Sequence, residues 1–101
     1  MTDALSAAAE PSRRRILQVL ASGPRSVSEL AQEFTTTRSA TSQHLLVLAE
    51  AGLVTAEQVG RQRIYRVLPS GLARLQAELD RFWTAELSQL VEDAGDRRSR
   101  G

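Results

Sequence analysis

Apolar residues recur at helical spacing along most of the chain and switch to strand-like alternation between residues 53 and 68. The most informative stretch runs from Thr37 to Val54, TRSATSQHLLVLAEAGLV. Wound at about 3.6 residues per turn, it puts Thr41, Leu45, Leu48 and Gly52 on one side and Ser39, Ser42, Gln43 and Leu46 on the other. The first set packs. The second presents small hydroxyl and amide groups suited to close approach to base edges or phosphates. Thr37 is a fitting N-cap, Arg38 adds charge one residue inside the start, and His44 lies on the border between the two sides, where a structural role is the simpler reading.

Upstream, Asp3 to Ala9 has the composition of a short helix, and Pro11 is well placed to open a second one ending near Gly23, with Ile16, Leu17, Val19 and Leu20 as its buried stripe. Arg13, Arg14 and Arg15 crowd the first turn of that helix against its dipole, either as solvated charges or because an anion lies nearby. After Gly23-Pro24, Ser26-Val27-Ser28-Glu29 has capping-box spacing and predicts a helix from Val27 to about Phe34, burying Val27, Leu30, Ala31 and Phe34. Thr35 and Thr36 then turn the chain into the Thr37 segment, giving a helix-turn-helix.

Downstream, Gly52 ends the helix, and Leu53–Val59 and Gln62–Leu68 read as two strands joined at Gly60-Arg61. Arg61 and Arg63 at its tip make this hairpin a candidate wing for phosphate or minor-groove contact; an ordinary charged edge is the bland alternative. Tyr65 is assigned to packing. From Ser70 on, Leu72, Leu75, Leu79, Phe82, Trp83, Leu87, Leu90 and Val91 form the stripe of one long amphipathic helix, more than a small head can cover. With Leu5, the residues of this stripe from Leu72 to Leu90 are the expected dimer contacts.

The predicted fold is therefore mainly α with a small β-hairpin, α-α-α-α-β-β-α: a winged helix-turn-helix with a long C-terminal dimerisation helix. Residues 1–94 are read as one domain, comprising an N-terminal helical segment (1–10), a DNA-binding head (11–68, wing near 59–64) and the dimerisation helix (69–94), with 95–101 as a mobile polar tail.

Composition narrows the function. A chain of 101 residues with 42% hydrophobic content supports one modest domain whose own core is marginal, which favours association. No cysteine is present, so disulfides, thiolate metal sites and cysteine redox switches are excluded. No apolar run approaches the roughly 20 residues of a membrane span, and the start lacks a signal-peptide pattern, so the expected location is cytoplasmic, with no membrane partner. The net charge of +1 hides opposite local signs: residues 38–68 hold Arg38, Arg61, Arg63 and Arg66 against Glu50 and Glu57, whereas 69–96 is acidic. All 13 basic residues are arginine, which a GC-rich genome explains as readily as phosphate contact. A single histidine cannot assemble a zinc, copper, arsenic or cadmium site, and Glu78, Asp80 and Glu86 read as solvated helix carboxylates, so no metal or other cofactor is expected. With no nucleophilic cysteine or glycine-rich phosphate loop, no catalytic constellation is visible.

This order of elements resembles the ArsR family of winged-helix repressors over residues 4–92. The resemblance rests on AAAEPSRRRILQVLASG, SVSELAQEF, SATSQHLLVLAEAGLV, GRQRIYRV and LDRFWTAEL. The LDRFW segment is similar to the metal-independent, autoregulatory branch. The resemblance implies a homodimer on a near-palindromic operator, with Ser39, Ser42 and Gln43 facing bases, Thr37 and Arg38 facing phosphates, and Arg61 and Arg63 in the wing. Three departures stand out. Thr41 replaces a usual aliphatic residue, Leu46 replaces a common cation and is suited to a thymine methyl, and the Thr35-Thr36 turn lacks glycine.

The expected function is a sequence-specific, DNA-binding transcriptional repressor, with its own promoter as a candidate operator. Two alternatives stay open: a protein-interaction module that docks a partner through the C-terminal helix, and a regulator gated by an apolar effector near Phe82 and Trp83. The sequence indicates no particular effector.

Overall fold

A computed structural model describes residues 3–100, and side-chain surroundings for residues 3–94. Each helix of the head begins on a side-chain cap. The Asp3 carboxylate accepts from the Ser6 N–H at 2.7 Å and starts α1 (Ala4–Ala9). Glu10 accepts from the Arg13 N–H at 2.9 Å and, with Pro11 at the first position, starts α2 (Pro11–Ala21). Ser26 and Glu29 form the reciprocal capping box of α3 (Val27–Glu33), and Thr37 accepts from the Ala40 N–H at 3.0 Å to start α4 (Arg38–Glu50). Donation from backbone N–H groups holds the carboxyls of Asp3, Glu10 and Glu29 below their ordinary values.

The arginines at the start of α2 have partners that the local pattern did not show. Arg13 Nε donates to the Ala7 carbonyl at 2.7 Å and Arg14 donates to the Ala9 carbonyl at 3.2 Å. Both guanidiniums thus sit at the C-terminus of α1, where the unpaired carbonyls and the dipole favour cations. Their unfavourable position on α2 is offset by a favourable one on α1.

The sheet is larger than the expected hairpin. β1 (Arg25–Ser26), β2 (Val54–Val59) and β3 (Gln62–Val67) form an antiparallel sheet in the order β1-β3-β2, with Arg25 opposite Tyr65 and Val59 opposite Gln62 across the Gly60-Arg61 turn. The two residues of β1 are too few to show alternation, which is why the pattern missed them. Ile16, Leu17 and Leu20 from α2, Leu30 from α3, Leu45 and Leu48 from α4, and Leu53, Val54 and Tyr65 from the sheet region make one core. Val27 and Phe34, expected inside, are only partly buried against it.

α5 (Pro69–Arg100) is longer than the amphipathic stripe suggested and extends past residue 94 into the segment expected as a tail. No proline interrupts that segment, so nothing in it blocks the helical hydrogen-bond ladder beyond the end of the apolar pattern. Gly101 lies outside the described residues. Leu72 and Leu75 pack partly on the core, but from Arg81 to Ala94 every side chain is exposed. At about 1.5 Å per residue α5 spans roughly 48 Å, and it gives the molecule extents of 67 × 27 × 26 Å.

Two helices end in the same way on different residues. At the end of α4 the Leu53 N–H reaches the Leu48 carbonyl and the Gly52 N–H the Ala49 carbonyl, with Gly52 at φ +78°. At the end of α3 the Thr36 N–H reaches the Ala31 carbonyl and the Thr35 N–H the Gln32 carbonyl, but the left-handed position, at φ +48°, is Thr35. A β-branched residue pays about 1–2 kcal/mol there, and glycine does not. Thr35→Gly is therefore expected to raise stability by about 1 kcal/mol after its own entropic cost, read as a rise of a few degrees in thermal melting. A lower melting temperature would mean that the Thr35 hydroxyl bond to the Phe34 carbonyl outweighs the backbone strain.

Candidate nucleic-acid interface

The face of α4 divides as the spacing requires. Thr41, Leu45 and Leu48 are buried, while Arg38, Ser39, Gln43 and Leu46 are exposed and Ser42 is half-buried. Leu46 keeps 53% of its surface on a helix whose opposite leucines keep none, so it belongs to the outward face and not to the core. Thr41 stands in an aliphatic site because its hydroxyl donates to the Thr37 carbonyl at 2.9 Å, which lets the core hold it without an unpaired polar atom. Thr37 spends its side-chain oxygen on the helix cap.

β2 and β3 carry the wing. Their cations are sorted by which of them has an acidic partner. Arg66 pairs with Glu57 at 3.1 Å. Arg61, at the turn, and Arg38, at the start of α4, have no carboxylate partner among the described residues. Arg63 lies on the same face of β3 as the buried Tyr65, two residues away. It donates from Nε to the Tyr65 hydroxyl at 3.3 Å, with its guanidinium 5.8 Å from the ring centroid. Tyr65 therefore both fills the core and orients a wing cation, and only the first role was legible from the sequence.

Arg38, Arg61 and Arg63 converge. With Ser26, Ser28 and Gln62 they line one open groove of about 150 Å3 between the start of α3, the start of α4 and the wing. Sequence reading had named the three arginines separately. The lining serines and glutamine were missed because β1 brings α3 alongside β3, a pairing without a local signal. Three guanidiniums around one groove make an environment for anionic oxygen atoms spaced along a backbone.

The expected dimer residues lie elsewhere. Leu5 of α1 and Leu72, Leu75, Leu79 and Trp83 of α5 line a single apolar groove of about 610 Å3. Phe82 meets Trp83 edge-on at 5.2 Å between centroids, and Phe82, Leu87 and Leu90 continue the exposed stripe beyond it. Among the described residues no group of three or more His, Asp or Glu side chains is placed to hold a metal ion, and no helix is long and apolar enough to cross a membrane.

The joint between these two regions is tight. Gly71, in the first turn of α5, is buried so closely against the carbonyl of Gly52 that a Cβ at residue 71 would overlap it. Arg74 of α5 reaches the same oxygen at 3.4 Å. Gly71→Ala should therefore force α5 away from the end of α4 and cost roughly 1–3 kcal/mol, as overpacking does. Denaturant unfolding measures it, and an unchanged midpoint would show that the joint yields without strain.

Comparison with known proteins agrees with this geometry. Residues 10–56 match the family model described as bacterial regulatory protein, arsR family. The HTH-type transcriptional regulator Rv2034 of Mycobacterium tuberculosis is 46% identical over 96 residues, covering 92% of this chain and 90% of that protein. A crystal structure of a possible transcriptional regulator for arsenical resistance superposes with a TM-score of 0.82 at 55% identity, over 92% of this chain and 97% of the other. The solution structure of the homodimeric winged helix-turn-helix DNA-binding domain Mb0332 from Mycobacterium bovis, a possible ArsR-family regulator, gives a TM-score of 0.64 at 31% identity, over 82% and 77% of the two chains. This chain, with its winged helix-turn-helix and long terminal helix, belongs to the ArsR family of bacterial transcriptional regulators.

Proposed function

We propose that the chain is a cytoplasmic, non-enzymatic repressor that binds a near-palindromic operator as a homodimer and works without a bound metal. The observation that carries this reading is the convergence of Arg38, Arg61 and Arg63 beside an outward α4 face of Ser39, Ser42, Gln43 and Leu46. In it, Gln43 and Leu46 read base edges in the major groove, Ser39 and Ser42 approach bases or sugar, and the arginines with Thr37 at the helix start hold phosphates. The absence of cysteine supports a signal other than thiolate-bound metal.

The dimer half of the proposal rests on the exposed stripe Phe82, Trp83, Leu87, Leu90 and the groove beside it, and on the homodimeric state named for the Mycobacterium bovis relative. A second copy covers both surfaces by an isologous contact. Leu87→Glu with Leu90→Glu is expected to give a monomer in sedimentation while the head keeps its melting transition. A wild-type monomer at micromolar concentration would favour docking of a different protein on α5.

DNA binding to the duplex upstream of the chain's own gene, against random duplex of equal length across a salt series, tests the whole reading. A preference of at least about a thousandfold at physiological salt is expected of a specific regulator. Arg61→Ala should weaken both duplexes and flatten the salt dependence by about one unit per phosphate contact, or about two for a dimer. Gln43→Ala should cost on the order of 1–3 kcal/mol at its own base pair and leave the slope alone. A slope change with Gln43→Ala, or none with Arg61→Ala, would reverse the two assignments.

A further inference from the structure

β3 is the central strand of the sheet, and Tyr65 occupies a position on it that is paired on both sides, opposite Arg25 of β1 and Ala56 of β2. The residue is 5% exposed and belongs to the core. Two residues nearer the tip, Arg63 is paired only with Gln58 of β2, because β1 does not reach so far. Its side chain is exposed, yet its Nε donates to the Tyr65 hydroxyl and its guanidinium lies within 6 Å of the ring centroid, at 5.8 Å. A cation on the two-stranded part of the wing is thus fastened to a side chain rooted in the core. Arg61, at the tip, has no such anchor among the described residues.

The two wing arginines therefore differ in what it takes to engage an anion. A free arginine gives up rotamer freedom when it closes on a phosphate, whereas one already held gives up less. The bond to Tyr65 uses Nε and leaves the terminal nitrogens available in the groove that Arg63 lines with Arg38 and Arg61. We infer that Tyr65 is a positioning residue for DNA binding: without touching the duplex, its hydroxyl holds Arg63 in the posture that meets a phosphate, so that Arg63 contributes more affinity than Arg61 for the same single charge. The inference rests on the DNA-binding reading above and adds a residue that reading does not use.

Binding to a random duplex of about 30 base pairs across a salt series tests it without knowledge of the operator, because a phosphate contact is blind to sequence. Arg61→Ala and Arg63→Ala should each lower the slope of log affinity against log salt by about one unit per protomer, with the larger loss of affinity for Arg63→Ala. Tyr65→Phe keeps the ring and removes the hydroxyl. It is expected to leave the slope alone and weaken binding about two- to tenfold per protomer, the scale of one long side chain immobilised on binding. That loss should vanish when residue 63 is already alanine. Arg63→Lys keeps the charge without a donor at the Nε position and should show the same loss at an unchanged slope, which tests the inference even if melting shows Tyr65→Phe unfolded. No loss with Tyr65→Phe, the same loss with and without Arg63, or tighter binding would each overturn the inference. If Arg61→Ala lowers the slope and Arg63→Ala does not, Arg63 holds no phosphate, and the inference fails while the DNA reading stands. A wild-type chain that binds no duplex even at low salt would overturn both.

Discussion

The contact on which the rest of the molecule depends is the meeting of Gly52 and Gly71, where two backbones approach with no room for a side chain. Gly52 closes α4 in a left-handed conformation, and Leu53, fully buried, follows at once. Leu53 donates to the Leu48 carbonyl of α4 and accepts from the Leu68 N–H that leads into α5. One residue thus ties the outward-facing helix, the edge of the sheet and the terminal helix together. In a dimer assembled on α5, the separation of the two α4 helices follows from this joint. A regulator that needs two half-sites about 34–36 Å apart needs such a joint to be stiff.

Charge is organised by pairing more than by count. The net charge of +1 would suggest little affinity for DNA. Yet Glu57 is used on Arg66, Glu10 on the start of α2 and Glu29 on the capping box, while Arg13 and Arg14 serve the end of α1. Among the described residues Arg38 and Arg61, beside the exposed face of α4, have no acidic partner, and Arg63 is steered by Tyr65. Among the described residues no acidic side chain of α5 forms a salt bridge with these arginines.

The helices and both faces of α4 were legible in the sequence because each rests on a local signal: a cap, a breaker, or a period of about 3.6 residues. The candidate residues on α4 and the wing were legible for the same reason. What was not legible depends on contacts distant in sequence. β1 exists only because Arg25 and Ser26 meet Tyr65 and Ile64, and the Gly71 contact appears only once α5 has folded back on Gly52. The arginine run read as a conflict with one helix until the end of its neighbour was placed beside it. Thr41 looked like a departure from an aliphatic pattern until its hydroxyl found the carbonyl one turn earlier. The reach of α5 to Arg100 was missed because hydropathy marks where a helix needs a partner and is silent on where its backbone stops.

The central claim is that two copies of the outward α4 face read a symmetric DNA sequence. Selection of bound duplexes from a randomised library by the purified chain tests it most directly. The account predicts enrichment of an inverted repeat whose half-sites lie about one helical turn apart, roughly 10 base pairs centre to centre. An unenriched pool, or enrichment of a single half-site without symmetry, would contradict it.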